Sequence, residues 1–533
     1  MEFKTLFKAS AITAALILAG CGGDIKIQPT VNDNSSITDN SVNNSNNTDG
    51  GGGNSGDDVT CASYEGSAGT VTGVVSGNDC IYNDSFASRS FSITSNITFE
   101  ELPNDGVHFF EDALLIGEDG DTTEGFAIPE NGPTMTVLPG ATLAFQSGEA
   151  IIRIARGAKI QAVGTQAKPI TFTSANAFDR FDNAGTGPLF ADWGGIIING
   201  NGVTDQCNDT ERGAGTCNVP SEGITSFYGG NDNSDSSGNI KWTKVWYAGS
   251  GPRAGGEGDD LNSLTLNAVG SGSEFEFIHI HQGFDDGVEI FGGATTLKYI
   301  VVTDTQDDSF DFDAGWQGSA QFLFVKHGTV ENRDGVNVSM GNGGFESDGR
   351  KNDGPSSNPT IANVTVITSD ALSVRDEDPS IAFKFDDQFN ASLYNVLMIK
   401  TDATQSQCVS FSSDGELGAD NIVFNGSVMA CAEEFNDDNG QFDGGPLNGT
   451  SLTEWFDNDG SNERVASTAS VLADNGFATL TSSSDITITP NDLSGLDSSF
   501  FDSAAYVGAV SDQASDSAWY KWVETALAAA DAD

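Results

Sequence analysis

Along most of the chain, short apolar runs alternate with clusters of Gly, Asn and Asp. Runs of about four to eight residues rich in β-branched and aromatic side chains predict β-strands, and the clusters between them predict turns. Long helical periodicity is nearly absent, so the pattern predicts an all-β protein. The clearest predicted strands are Thr136–Phe145, Ala158–Val163, Pro169–Thr173, Ile196–Ile198, Phe275–His281, Leu297–Thr303, Gln321–Lys326, Thr360–Thr368 and Leu393–Lys400.

The C-terminal segment is the exception, because its apolar residues follow the period of an amphipathic helix. Ser515 and Asp516 are the candidate N-caps. A single helix at the end of a β body is expected to cap an exposed core. The apolar stripe consists of Trp519, Trp522, Val523, Ala526 and Leu527.

An acidic motif repeats in the middle of the chain. Asp285–Ile290 aligns with Asp307–Phe312, and Arg333–Val338 gives a third copy, the copies beginning 22 and then 26 residues apart. This period is about half of a propeller blade, and β-sandwiches lack such local repetition. One unit cannot bury its apolar side alone, so the repeat predicts stacked coils. An apolar strand precedes each copy, at Phe277–Ile280, Tyr299–Val302 and Phe322–Val325.

The predicted fold is therefore an all-β, right-handed parallel β-helix, a solenoid with a short C-terminal capping helix and a disordered N-terminal tether. A propeller or a sandwich is the alternative. The predicted segments are a signal peptide at 1–20, a lipidated Cys with an Asn/Ser/Gly-rich linker at 21–58, an N-terminal β region at 59–130, the β-helix at 131–435, and a C-terminal region with acidic loops and a terminal helix at 436–533.

The first residues have the parts of a secretory signal: the cations Lys4 and Lys8, then the apolar run Ala11–Ala19. Leu18-Ala19-Gly20-Cys21 resembles the lipobox of bacterial lipoproteins, which implies that Cys21 carries the lipid. Gly22 rather than Asp follows, and the resemblance then implies the outer membrane, on its periplasmic or extracellular face. The expected partner at this end is the membrane, contacted through acyl chains.

Net charge and cysteine content limit the classes of partner and predict disulfide bonds. The net charge is −54, from 77 acidic and 23 basic residues, so nucleic acid is an unfavourable partner. The acidity favours solubility or divalent-cation binding. Seven cysteines are present, of which Cys21 is assigned to lipid. Because export places the other six in an oxidising compartment, we expect sequence-local disulfides at Cys61–Cys80, Cys207–Cys217 and Cys408–Cys431.

Stretches spread over most of residues 130–510 resemble the β-helix surface lipoproteins and secreted proteins of marine Proteobacteria and Bacteroidetes. The resemblance implies a parallel β-helix in the cell envelope and carries no established activity. The matching stretches are residues 156–174 (RGAKIQAVGTQAKPITFTS), 193–202 (WGGIIINGNG), 285–293 (DDGVEIFGG), 307–322 (DDSFDFDAGWQGSAQF), 357–367 (SNPTIANVTVI) and 500–510 (FFDSAAYVGAV).

The acidic motif is the main candidate site. Equivalent positions of a β-helix stack about 4.8 Å apart, and carboxylates at that spacing repel one another unless a cation or hydrogen-bond donors compensate. The alternatives are turns in which Asp accepts backbone N–H groups and a Ca²⁺ site built from carboxylate oxygens. The candidate metal ligands are Asp285, Asp286, Glu289, Asp307, Asp308, Asp311, Asp313 and Asp334, with Asn337 equivalent to Glu289 and Asp311.

Other motifs give weaker signals. Gln306-Asp307-Asp308 resembles the paired-Asp motif of polygalacturonase-like hydrolases, but the Gly-His-Gly and Arg-x-Lys motifs of that family have no match. A lyase needs a base beside its carboxylates, and Arg333, Arg350 and Lys351 are near in sequence. The remaining candidates are a His pair (His279, His281), two acidic loops (Asp457–Glu463, Asn436–Gly444), and tryptophans next to glycines (Trp193, Trp242, Trp246, Trp316).

The function expected from these observations is a non-enzymatic binding, adhesion or envelope scaffold on the outer membrane, with Ca²⁺ as the candidate cofactor. Its expected ligand is a glycan or a surface protein. The alternative is a polysaccharide lyase or glycoside hydrolase that acts on an anionic glycan.

Overall fold

A computed structural model describes residues 59–532, except 253–259, 351, 353, 370, 376–379, 401–406, 412–420, 432, 437–451, 458–460, 466–488 and 512–513. Cys21, the linker, residues 458–460 of the first acidic loop and residues 437–444 of the second lie outside the described residues, so the predictions about them stay predictions. None of the helices in the described part has the length and apolar character needed to cross a bilayer.

Ten short strands form a parallel sheet that we call sheet A. Successive strands pair in register, as where Val288 lies beside Phe310 and Ile290 beside Phe312. Each strand of sheet A belongs to one coil of the solenoid. The strands are Leu114–Ile116, Ile152–Ile154, Ile196–Asn199, Leu264–Asn267, Val288–Phe291, Phe310–Asp313, Gly343–Ser347, Ile381–Phe385, Gln407–Phe411 and Glu433–Asn436.

The second large sheet, sheet B, has 17 strands and is parallel along most of its length. Each middle coil contributes one long strand to it. The strands are Val74–Ser76, Asp79–Tyr82, Ile97–Phe99, His108–Phe110, Thr134–Val137, Thr142–Phe145, Lys159–Val163, Ile170–Ser174, Gly238–Trp246, Glu274–His281, Thr296–Thr303, Ser319–Lys326, Thr360–Thr368, Ala391–Lys400, Ile422–Asn425, Val428–Ala430 and Glu463–Arg464.

The long strands of sheet B bend where one residue adopts a left-handed conformation. Phe277 has φ 51°, Tyr299 62° and Phe322 60°, and the register skips each of these residues. Their rings stack along the bend, with centroids 4.4 Å apart for Phe277 and Tyr299 and 5.0 Å for Tyr299 and Phe322. Trp242, Asn363 and Asn395 occupy the bend in neighbouring coils.

The core lies between sheets A and B. Alternate residues of each strand point inward, and aromatic rings stack from coil to coil, as in Phe310–Phe345–Phe383 with centroids 4.9 and 4.5 Å apart. Trp193 and Trp316 are fully buried. Apolar burial of this kind is the main driving force for stacking coils. The all-β parallel β-helix predicted from the sequence is confirmed.

The described helices are α1 (Asp209–Ala214), α2 (Leu452–Asp457) and α3 (Ala518–Ala530), with 3₁₀ turns at Thr122–Glu124, Ala175–Ala177 and Leu493–Gly495. Helix α3 is the predicted C-terminal helix, and its N-cap is Ser517, not Ser515 or Asp516. It packs against the bend of sheet B, where Trp519 faces Tyr299. The core itself is covered at its C-terminal end by α2, through Trp455 and Phe456.

The three predicted disulfides, Cys61–Cys80, Cys207–Cys217 and Cys408–Cys431, are present. Three antiparallel hairpins leave the solenoid: Ser63–Gly66 with Gly69–Thr72, Val219–Pro220 with Phe227–Tyr228, and Thr329–Glu331 with Asn337–Ser339.

The last of these hairpins corrects the repeat alignment. The first two acidic copies do stack, since Glu289 lies beside Asp311. The next coil continues with Gly343–Ser347, where Glu346 lies beside Asp311. Asp334 and Asn337 instead belong to the hairpin, so their assignment to the stack is wrong. Their resemblance to the motif arises from turn chemistry, because Asn332 accepts the N–H groups of Asp334 and Val336.

Candidate functional site

The candidate site lies on the outer face of sheet A. Strand alternation points Val288 and Ile290 into the core and Glu289 outward. Because the strands are in register, Glu289, Asp311 and Glu346 form an outward column across three coils. Neighbouring members of such a column are about 4.8 Å apart. The local sequence thus builds a ridge of carboxylates with no special loop.

A second column lies at the turn before each of these strands. Asn262 Oδ1 accepts the N–H of Asp286, and Asp286 Oδ1 accepts the N–H of Asp308, both at 3.0 Å. One oxygen of Asp286 therefore holds the next coil in place, as expected for a structural turn. The turn and cation hypotheses are compatible, since each carboxylate has a second oxygen.

Four residues of these columns, Asp286, Asp308, Glu289 and Asp311, lie close to two further carboxylates, Asp285 and Asp307, which precede the second column in sequence. We call these residues the acidic cluster: Asp285, Asp286, Glu289, Asp307, Asp308 and Asp311. Within it, Asp285, Asp286 and Asp307 form one group whose ligand atoms lie within 4.8 Å of one another. Asp286, Glu289 and Asp311 form a second group by the same measure. Asp286 belongs to both groups.

Arg375 pairs with one side of the acidic cluster. Its Nη2 lies 2.8 Å from Asp285 Oδ1, and its Nε lies 3.0 Å from Asp307 Oδ2. The same Nη2 is 3.4 Å from Asp260 Oδ2. The guanidinium also lies over the ring of Phe284, 5.5 Å from its centroid. Arg375 is thus held at several points beside the first group.

Lys384 pairs with the opposite side. It projects outward from the strand Ile381–Phe385 in the coil after Glu346. Its Nζ lies 3.4 Å from Asp308 Oδ2 and 3.5 Å from Glu346 Oε2. None of the described cations pairs with Asp286, Glu289 or Asp311. The second group therefore forms no ion pair among the described residues.

Burial makes the acidic cluster electrostatically unfavourable. Burial and the charges of Asp307 and Asp260 raise the pKa of Asp285 to about 8, although Arg375 opposes this shift. Burial first, and neighbouring carboxylates second, also raise the pKa of Asp286, Glu289 and Asp311. These directions indicate that proton or cation binding would relieve the repulsion.

Two oxygens in the acidic cluster are sealed from solvent and accept no hydrogen bond: Asp308 Oδ1 and Asp311 Oδ1. Asp308 is 2% exposed. Asn262 Nδ2 does donate to Glu289 Oε2, which fixes that side chain toward the second group. Buried acceptors without donors are costly, and a metal ion would satisfy them.

The remaining predicted ligands, Asp313 and Asp334, belong to neither of these two groups. Asp313 ends its strand, accepts the N–H of Ala314, and raises the pKa of the buried Tyr228 in addition to the larger effect of burial. Asp334 is exposed in its hairpin, so the prediction that it joins the candidate metal site is wrong. Arg333 of the same hairpin pairs with Asp192, far along the chain from the acidic cluster.

The other candidates have structural partners. His279 and His281 are both 1% exposed and both contact Thr303 Oγ1, at 3.0 and 2.8 Å. Trp246 Nε1 donates to His279 Nδ1. Arg350 reaches Gln388. These contacts give the His pair a packing role between neighbouring strands of sheet B.

Sequence reasoning missed Arg375, Lys384 and Asn262. A signal for Lys384 exists, because Phe383-Lys384-Phe385 has the same inward–outward alternation as Phe310-Asp311-Phe312. Arg375 has no such signal, since it lies in a loop outside the repeat.

Residues 111–443 match the model of a family described as a pectate-lyase-like β-helix domain. This stretch is more than half of the chain and includes the acidic cluster, Arg375 and Lys384. Searches of curated proteins and of solved structures gave no match.

Proposed function

Because the chain belongs to the pectate-lyase-like β-helix family, we propose that it binds a glycan on the outer face of sheet A through a divalent cation held by the acidic cluster. Family membership is compatible with a role in binding or acting on glycans. The observation that carries the proposal is the group of Asp286, Glu289 and Asp311, which lies within ligand distance and pairs with no described cation.

Calcium is the expected cation. It takes six to eight oxygen ligands in flexible geometry, including carboxylates, carbonyls and water. The second group supplies three carboxylates, and water or sugar hydroxyls would complete the shell. A cation shared between protein and glycan gives affinity for a polar ligand without a deep apolar pocket.

The protonation of the two nearby cationic side chains, Arg375 and Lys384, favours a binding function over a catalytic one. The acidic residues around Arg375 and Lys384 raise the pKa of both side chains despite their burial. Both therefore remain protonated near neutral pH and are poor proton acceptors. The hydrolase-like pair is also engaged, since Asp307 contacts Arg375 and Asp308 contacts Lys384.

The cellular setting is part of the proposal. The lipobox at Cys21 and the polar linker 21–58 support anchorage in the outer membrane by lipid, with the β-helix held away from the bilayer as a binding, adhesion or envelope scaffold. Protease treatment of intact cells tests the membrane face: cleavage of the β-helix indicates the extracellular face, and protection indicates the periplasmic one.

A glycan array probed with the purified β-helix tests the binding proposal. We expect signals that need Ca²⁺ and that disappear with chelator or with Asp286→Asn. Asp334→Asn is the matched control, because it removes an exposed carboxylate outside the acidic cluster and should bind normally. Calcium-independent binding, or binding that survives Asp286→Asn, would contradict the role of the cation.

The enzymatic alternative has its own test. The purified protein is incubated with pectin, alginate and other anionic glycans, and products are followed by reducing ends and by absorbance of unsaturated sugars. Product release that is lost in Asp308→Ala would replace the binding proposal by a lyase or a hydrolase.

A further inference from the structure

The acidic cluster contains two three-carboxylate groups that differ in one respect. In the first group, Asp285 and Asp307 both pair with Arg375, at 2.8 and 3.0 Å. In the second group, Glu289 and Asp311 pair with no described cation. The groups share Asp286. One group thus already contains a positive charge, and that charge belongs to the protein.

Hydrogen bonds from the preceding loop hold Arg375 in its position. The loop before it is tied to the solenoid, because Val374 N–H donates to Ser339 O at 2.9 Å and Ser373 Oγ donates to Gln306 O at 3.3 Å. Ser373 Oγ also accepts the N–H of Arg375 at 3.0 Å. The planar guanidinium contacts two carboxylates through different nitrogens, a geometry that Lys cannot reproduce.

The second group has independent features that indicate a ligand. Asp311 Oδ1 is sealed from solvent and accepts no hydrogen bond. Asp286 and Glu289 are 7% and 6% exposed. Buried carboxylates that form no ion pair are costly, and none of the described cations forms an ion pair with these three.

We propose that Arg375 acts as a tethered cation that fills one of two metal positions in the acidic cluster, so that the protein binds one divalent ion at Asp286, Glu289 and Asp311 and excludes a second from Asp285, Asp286 and Asp307. This inference rests on the proposed cation site and adds its stoichiometry and its control. An anionic group that drew Arg375 away would open the second position.

The electrostatic reason is direct. A divalent ion at the first group would lie within a few ångströms of the guanidinium, and like charges at that distance repel strongly in a partly buried site. Removal of Arg375 takes away the guanidinium that contacts Asp285 and Asp307. The free energy of the acidic cluster would then favour a second ion.

The test measures calcium stoichiometry by isothermal titration calorimetry at low ionic strength. We expect one tight equivalent for the wild type and for Arg333→Gln, a control that removes a cation from the hairpin. We expect two equivalents for Arg375→Gln. The double variant Arg375→Gln/Asp285→Asn should return to one, because only the first group loses a ligand. Asp286→Asn should bind neither ion tightly.

The outcomes separate the two proposals. No tight binding in the wild type or in Arg375→Gln would remove the cation site itself. One equivalent of calcium in both the wild type and Arg375→Gln would support the cation site but contradict the proposed role of Arg375. Two equivalents in the wild type would contradict that role as well. If Arg375→Gln fails to fold by circular dichroism, Arg375→Met decides, because it keeps an apolar side chain and removes the charge: a second equivalent supports the inference, and its absence opposes it.

Discussion

The solenoid has two outer surfaces built from the same coils, and they differ in what faces them. The bend of sheet B is covered by the chain itself, with α3 and residues 504–510 packed over its aromatic stack. Polar groups there find partners as well: Asn363 Nδ2 donates to Tyr506 O at 3.1 Å, and Gln321 exchanges hydrogen bonds with the backbone of Asp502. The outer face of sheet A instead retains Asp311, which pairs with no described donor or cation, and a sealed oxygen of Asp308 that accepts no hydrogen bond.

The difference indicates that the sheet B surface contributes to stability and that the sheet A surface is the one suited to ligand binding. On the sheet B side, the C-terminal segment supplies apolar area and hydrogen bonds, so the surface is complete within the chain. On the sheet A side, Asp308 and Asp311 have buried oxygens without donors. Native proteins rarely leave such atoms unsatisfied unless a ligand or water completes them. A surface left incomplete on a rigid scaffold is suited to an external partner.

The largest effect is expected from the covered surface. Trp519 is 6% exposed, faces Tyr299 at 5.4 Å between ring centroids, and donates from Nε1 to Ala509 O at 2.7 Å. Trp519→Ala should lower the free energy of unfolding by about 3–5 kcal/mol, as large-to-small core changes do. Urea denaturation measures it. Val163→Ala, at an exposed position, is the control, and equal losses in both variants would show that the cover contributes little.

The next effect concerns the incomplete surface. Calcium that binds only the folded protein should stabilise it by about 2.7 kcal/mol when its free concentration is one hundred times Kd. Thermal unfolding with and without Ca²⁺ measures this. The increase should vanish in Asp286→Asn and persist in Trp519→Ala, because the two surfaces are separate. Equal calcium responses in all three proteins would indicate binding outside the acidic cluster.

The sequence was sufficient to predict the stacked coils and the outward carboxylates of sheet A. It was not sufficient to predict the cations that pair with those carboxylates. Alternation in Val288–Phe291 and Phe310–Asp313 predicts both the inward aromatics and the outward carboxylates. The same pattern predicts coil stacking because period and register are local properties. The prediction fails at Asp334, where a hairpin interrupts the coil and its turn residues resemble the repeat. Local similarity cannot distinguish a turn within a coil from a turn within an insertion.

Arg375 shows a different limit. It lies 68 residues after Asp307 in the chain, in a loop without repeat pattern, and only packing of that loop against the hairpin brings it to the acidic cluster. Lys384 was predictable in principle, because it continues an outward column. Charge neutralisation by a loop residue depends on three-dimensional contact, which strand periodicity does not encode.

A smaller effect is expected when the stability of the metal-free protein is measured as a function of pH. Burial raises the pKa of Asp285 to about 8 in the folded protein, whereas an unfolded Asp titrates near about 4. Between these values the folded state binds more protons, so its stability falls as pH rises. We expect the stability to fall progressively as the pH is raised from 5 to 8. Thermal unfolding in chelator measures it.

The pH prediction also distinguishes the two surfaces. Asp285→Asn should flatten the pH dependence, since the amide does not titrate, and Ca²⁺ at pH 8 should restore the wild-type stability lost on raising the pH. Trp519→Ala should lower stability equally at both pH values. A steeper pH dependence in Asp285→Asn would show that the repulsion lies elsewhere among the acidic residues.

The smallest effect is expected at the edge of the covered surface. Asp502 accepts from Lys298 Nζ at 2.9 Å and from Tyr299 Oη at 2.6 Å, but its side chain is 57% exposed. Exposed ion pairs contribute about 0.2–1 kcal/mol, so Asp502→Ala should cost no more than this. A double-mutant cycle with Lys298→Ala isolates the pair, and its coupling should shrink as salt is raised. A coupling that is large and insensitive to salt would mean that this edge is sealed from water, and that the cover of sheet B is held by polar contacts as firmly as by its tryptophans.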